Sequence, residues 1–152
     1  MTTSIFVEDY EPRSELVVAK HLIPRAKFPV VDAHNHVTYP DFGWEKRDMD
    51  QVLRELDFLN VATVVNLSGL SGDSLKANLE KLDFVFPGRF VTYCNIDFSD
   101  IGKPGWTENR TAQLQADIQA GARGLKIYKE LGLITRDQEN HLVMPDDPRS
   151  YY

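Results

Sequence analysis

From Phe28 onward the chain alternates short apolar runs with longer stretches in which apolar residues recur every three or four positions. Four runs, "PVVDAH" (29–34), "VATVVNL" (61–67), "RFVTYCNID" (89–97) and "GLKIYK" (124–129), are rich in Val, Ile, Tyr and Phe. Their near-continuous apolar character predicts strands covered on both faces. The intervening "DMDQVLRELDFLN" places Met49, Val52, Leu53, Leu56 and Leu59 on one helical face, with Asp48 as N-cap and Gln51 in the capping-box position. "DSLKANLEKLDFVFPG" repeats the pattern with Leu75, Leu79 and Leu82 and is expected to stop at Pro87 and Gly88. "TENRTAQLQADIQAGA" is a weaker helix, with Leu114 and Ile118 on one face and Gly121 near its end.

The order is therefore βαβαβαβ, an α/β chain with parallel strands and right-handed crossovers. The strands begin about 30 residues apart, the interval at which a (β/α)8 barrel of roughly 250 residues repeats. Four of them amount to the first half of such a TIM barrel, spanning residues 28–152. Residues 1–27 read as an extended arm, because Pro12 and Pro24 interrupt regular structure and "SELVVAKHLIP" suffices only for a short edge strand or turn. In the tail, Asp147 followed by Pro148 is the way a helix starts. Two readings stay open there, a frayed turn or the first turn of a fourth helix, and the second is preferred. A complete flavodoxin-like module is disfavoured, since "SGLSGDS" lacks the spacing of a phosphate loop.

The 152 residues suffice for one domain with a core, and 42% hydrophobic with 26% charged residues is ordinary for a globular protein. A net charge of -6 argues against nucleic acid as a partner. The single cysteine, Cys94, makes no internal disulfide, and the amino terminus has acids where a leader needs basic residues. No window approaches the roughly 20 apolar residues of a membrane span. A cytoplasmic protein acting on a small molecule is expected.

The chemistry gathers at the end of the first strand. Side chains alternate along a strand, so Asp32, His34 and His36 face one way if the strand persists. Two neutral imidazoles two residues apart can share one divalent ion, at the strand end where parallel α/β folds bind ligands. The competing reading leaves Asp32 capping the loop and both histidines bonded locally. Lys126 lies inside the fourth run, where it either enters a site or snorkels outward; Lys129 is expected in solvent. Asn95 and Asp97 finish the third run and are candidates for substrate contacts or for ordinary loop roles. His21 and His141 are isolated surface residues, and Trp44 and Trp106 follow strands one and three as lids or as packing.

"VVDAHNHV" (30–37) and "GARGLKIYKELGL" (121–133) resemble the amidohydrolase superfamily, and most closely its amidohydrolase-related, metal-dependent hydrolase branch. The resemblance covers roughly Phe28 to the last residue. It implies a metal-dependent TIM barrel in which His34 and His36 are the first pair of metal ligands. Asp32 would support the site, and the ion would be divalent, zinc in expectation. Some two-metal members bridge the ions with a carboxylated lysine from strand four, at the position Lys126 resembles; single-metal members do without it. The remaining ligands, two histidines and the aspartate that handles the proton, come in that family from strands five, six and eight, none of which is visible here. The catalytic base is therefore unknown in this chain, and the chain alone is expected to be inactive. The implied reaction is hydrolysis of an amide, ester or lactone by metal-activated water. Non-oxidative decarboxylation is the alternative within the branch. A half barrel that needs a partner, either another copy or a second half joined through exposed sheet edges, is the non-catalytic alternative.

Overall fold

The computed structural model describes residues 6–40 and 43–150. The first five residues of the arm, Asp41 and Phe42, and Tyr151 and Tyr152 of the tail lie outside the described residues. The chain forms a small α/β fold. A three-stranded parallel sheet of β1 (Val30–Asn35), β2 (Val61–Asn66) and β3 (Phe90–Thr92) runs in the order β1-β2-β3. Helix α1 (Met49–Leu59) connects β1 to β2, α2 (Gly72–Lys81) connects β2 to β3, and α3 (Trp106–Ala120) follows β3. Among the described residues no helix is long and apolar enough to cross a membrane.

Helix α1 begins as its sequence dictates. Asp48 accepts hydrogen bonds from the backbone N–H groups of Asp50 and Gln51, and Asn60 ends the helix in the left-handed region at φ 63°. The reciprocal half of a capping box is missing, because the Gln51 amide reaches forward to Glu55 Oε1 at 2.8 Å. Helix α2 ends at Lys81, short of Pro87 and Gly88. Beyond it, Asp83 turns its carboxylate to β3 and accepts from Thr92 N at 2.9 Å and Thr92 Oγ1 at 2.6 Å. That attachment draws the chain out of the helical path and leaves Phe84 and Val85 exposed.

In α3 the expected Leu114/Ile118 face does not form: Ile118 is exposed, whereas Trp106 and Asp117 are buried. The Asp117 carboxylate accepts from Gly72 N and from Gln113 Nε2, both at 2.9 Å. A buried acid thus caps the first turn of α2, where the helix dipole favours negative charge.

The core lies between the helices and one face of the sheet. Trp44, Val64, Leu82 and Phe90 are buried together with partly buried residues of α1 packed on them, and Leu75, Leu79, Cys94 and Ala122 form the seam between α2 and α3. A third cluster joins Phe98, Ile101 and Trp106 to Leu131 and Val143. Both tryptophans are therefore packing residues rather than lids.

Two strand expectations are corrected. The third run supplies only Phe90–Thr92 as strand, and the fourth, 124–129, forms no strand. Its backbone still lies parallel to the chain after β3, through Cys94 N to Gly124 O at 2.9 Å and Lys126 N to Cys94 O at 2.8 Å. The Tyr93 ring packs so closely on Gly124 that a Cβ there would meet ring carbons at 2.5 Å. Coverage of both faces also fails for β1, where Val30 and Val31 are exposed.

The described part of the arm, 6–27, is almost wholly exposed, and its one regular turn is Val7–Asp9. Ala26 joins it to the body, donating to Leu59 O and accepting from Asn60 Nδ2. In the tail Asp147 does cap the backbone N–H of Arg149, over a single 3-10 turn, Pro148–Ser150. The Arg149 guanidinium hydrogen-bonded to it holds Asp147 down to about 2.

Candidate metal centre

The strand that carries the histidines is not evenly pleated. Asp32 pairs with Val64 and Asn35 with Asn66, so β1 spends one residue more than β2 over this stretch, a bulge at Ala33–His34. The bulge frees Asp32 from the simple alternation. Its carboxylate accepts from His34 N at 3.2 Å and from Asn35 Nδ2 at 2.8 Å, fixing the local turn rather than a ring nitrogen.

The two imidazoles nevertheless stand next to each other. Their ring centroids lie 5.3 Å apart with planes inclined at 63°. A zinc–nitrogen bond of about 2.0–2.1 Å puts each ring centroid about 3.2 Å from the ion, and two such rings at a tetrahedral angle stand about 5.2 Å apart. The spacing therefore fits two ligands of one ion. Among the described residues no group of three or more His, Cys, Asp or Glu surrounds a common point. The pair could supply two positions of a tetrahedral shell, and among the described residues no third ligand of those types stands beside it.

His36 is half-buried and sits in a built surround. Its Nδ1 is 2.6 Å from Ser68 Oγ, and the rings of Tyr39 and Tyr128 stand edge-on to it at 6.4 and 6.0 Å. Its pKa is lowered first by burial and then by the charges of His34, Lys126 and Lys129. A neutral imidazole is the form that ligates metal. Lys126 thus lies close enough to act on His36 electrostatically, while its backbone carbonyl accepts from Asn95 Nδ2 at 2.9 Å. Lys129 is exposed and stacks its ammonium over the Tyr128 ring at 5.5 Å.

Beneath the pair lies a buried polar lattice centred on Asn66. Its Oδ1 accepts from Ser68 N at 3.3 Å and Thr38 N at 3.4 Å, and its Nδ2 donates to Thr38 Oγ1 at 2.8 Å and Thr92 Oγ1 at 3.3 Å. Thr38 Oγ1 in turn donates to Ser68 O. The loops after β1 and β2 are thereby bound to each other and to β3.

A cleft of about 350 Å³ opens beside the pair, and Tyr39, Ser68 and Tyr128 line it. Asn95 and Asp97 line it as well. The Asn95 carboxamide is engaged by three backbone partners, Leu67 O, Lys126 O and Leu70 N, so it ties loops together. Asp97 accepts from Ser99 N at 2.9 Å and faces Arg110 at 3.5 Å; the Ser99 backbone bond, foremost, and Arg110 lower its pKa. Glu130, which the sequence did not single out, shares the cleft and is pushed the other way, by burial and by the Asp97 charge.

A raised carboxyl binds its proton more tightly in the folded chain. It therefore favours folding fully below the ordinary glutamate value, and that contribution is lost as the pH climbs through the raised value. Glu130→Gln removes the loss. The variant is expected to melt about 1–3 °C higher than the parent at pH 7 and equally at pH 4, measured by circular dichroism.

Ser68, Asn66, Thr38, Tyr39 and Tyr128 also went unmarked in the sequence. The one signal available was a buried-run asparagine at the end of "VATVVN", where an apolar residue would continue the strand. No family model matches the chain, and neither a curated protein nor a solved structure matches it.

Proposed function

We propose that the chain carries the first part of a metal-dependent hydrolase site, with His34 and His36 holding a divalent ion, zinc in expectation. The observation that carries this reading is the 5.3 Å ring separation, at a strand end beside a cleft. The parallel sheet with intervening helices supports reading the fold as the opening half of a (β/α)8 barrel, and the exposed β1 supports the view that more protein covers it.

When bound, the ion would polarise a carbonyl and lower the pKa of water. The chain's own residues do the rest of what is available here. Ser68 holds the His36 ring, Asp32 fixes the turn that presents His34, and Tyr39 and Tyr128 wall the space a substrate amide, ester or lactone would enter. Lys126 adds positive charge beside the pair. Asn95 shapes the cleft through the loops it ties, and Asp97, kept ionised, offers an acceptor to substrate polar groups. A further base is required for efficient turnover, so the chain alone is inactive on this reading. A non-catalytic half barrel awaiting a partner is the second reading, and the uncovered Val30 and Val31 of β1 favour it.

Metal analysis of the purified chain against His34→Ala combined with His36→Ala tests the site. About one zinc per chain in the parent, lost in the double variant, is the expected result. Equal, near-zero zinc in both removes the metal reading, and light scattering then shows whether the chain self-associates.

A further inference from the structure

We propose that Ser68 is a positioning residue that selects the metal-competent tautomer of His36. This deepens the reading of the site given above and rests on it only for the identity of the ion. A neutral histidine has one ring N–H and one lone pair, and the hydrogen bond made by one nitrogen decides which form the other takes. At His36 the bonded nitrogen is Nδ1, 2.6 Å from Ser68 Oγ. If Nδ1–H donates to the hydroxyl, Nε2 presents its lone pair; if the hydroxyl donates to Nδ1, Nε2 carries a proton and cannot ligate.

One feature favours the first arrangement: Ser68 lines the cleft, so its own hydroxyl proton has a place to turn once Oγ accepts from the ring.

The serine is held for this task. Only 5% of it is exposed. Its N–H is bound by Asn66 and its carbonyl by Thr38, so both ends of the residue are fixed while Oγ faces the imidazole. The ring therefore loses little further freedom on taking up an ion, which is what a ligand's outer hydrogen bond contributes to affinity.

The proton is located directly by long-range 1H–15N correlation on the labelled, metal-free chain at a pH where both histidines are neutral. The expected result is a proton on Nδ1 of His36 in the parent. In Ser68→Ala the ring should shift to the Nε2–H form that unpartnered histidine favours. Competition with a chromogenic chelator should then show zinc affinity reduced about tenfold to a hundredfold in the variant. A proton on Nε2 of His36 in the parent, or an unchanged tautomer in Ser68→Ala, overturns the assignment. The metal reading fails separately: zinc uptake that survives loss of both histidines removes it while the tautomer result stands.

Discussion

Asn66→Ala is expected to cost about 2–4 kcal/mol of folding stability, although the substitution removes no apolar packing. The side chain is fully buried and makes four hydrogen bonds, to Thr38 N, Ser68 N, Thr38 Oγ1 and Thr92 Oγ1. Truncation leaves two backbone N–H groups without their acceptor in the interior, and each orphaned donor costs about 1–3 kcal/mol. The bonds at 3.3 and 3.4 Å are long, so the lower half of that range applies to them. Thr92 is the partner least affected, because Asp83 already accepts from its hydroxyl at 2.6 Å.

Asn66→Leu separates hydrogen bonding from volume. Leucine fills the same space yet satisfies none of the four groups, so it should not restore stability. Urea titration reads both variants, and a midpoint within error of the parent for either would contradict the account. On the proposed metal reading, Asn66→Ala should also weaken zinc binding, because Asn66 holds the backbone N–H of Ser68.

The elements that could be read from the chain are those settled by local chemistry. The Asp48 cap, the starts of β1 and β2 and the Met49, Leu53 and Leu56 part of the α1 stripe follow from residues near in sequence, and the structure reproduces them, whereas Leu59, expected on the same stripe, is exposed. What could not be read depends on partners far along the chain. Asp117 is buried because it caps α2, 45 residues earlier, and that displaces Ile118 to the surface. Asp83 ends α2 early because Thr92 is there to receive it.

The same holds at the site. The His-x-His spacing marked the pair, but the alternation rule did not anticipate the bulge between Asp32 and Asn35, where the Asp32 carboxylate bonds His34 N and Asn35 Nδ2. Ser68 stood in a stretch judged only as a poor phosphate loop. Its hydroxyl matters because the register sets it against a histidine 32 residues away. The fourth run had the composition of a strand but not the neighbours: β3 ends at Thr92, and one bridge at Leu125 is what remains of the pairing.

Leu79→Ala is expected to destabilise the chain by about 3–5 kcal/mol, the upper part of the range for buried leucines. Cost at such a site depends on how far the surroundings can collapse. Leu79 is fully buried in the seam of α2 and α3, and the groups beside it include Ala122 and the backbone of Gly121, which have no long side chain to swing inward. Closing the cavity would require Leu75, Leu114, Leu125 or the Phe84 ring to shift, so much of it persists. Against a total stability of about 5–15 kcal/mol, that loss populates unfolded chain measurably at ordinary temperature. Leu133→Ala is the internal control: Leu133 is 62% exposed, and its truncation should change stability by less than about 0.5 kcal/mol. The seam also reaches the site. Cys94 belongs to the same cluster, and its backbone pairs with Gly124 and Lys126. Loosening Leu79 should raise hydrogen exchange at Lys126 N along with that of α2, whereas Leu133→Ala should leave both protected. Equal melting of the two variants would mean that the α2–α3 seam is not what holds the fourth segment against the sheet.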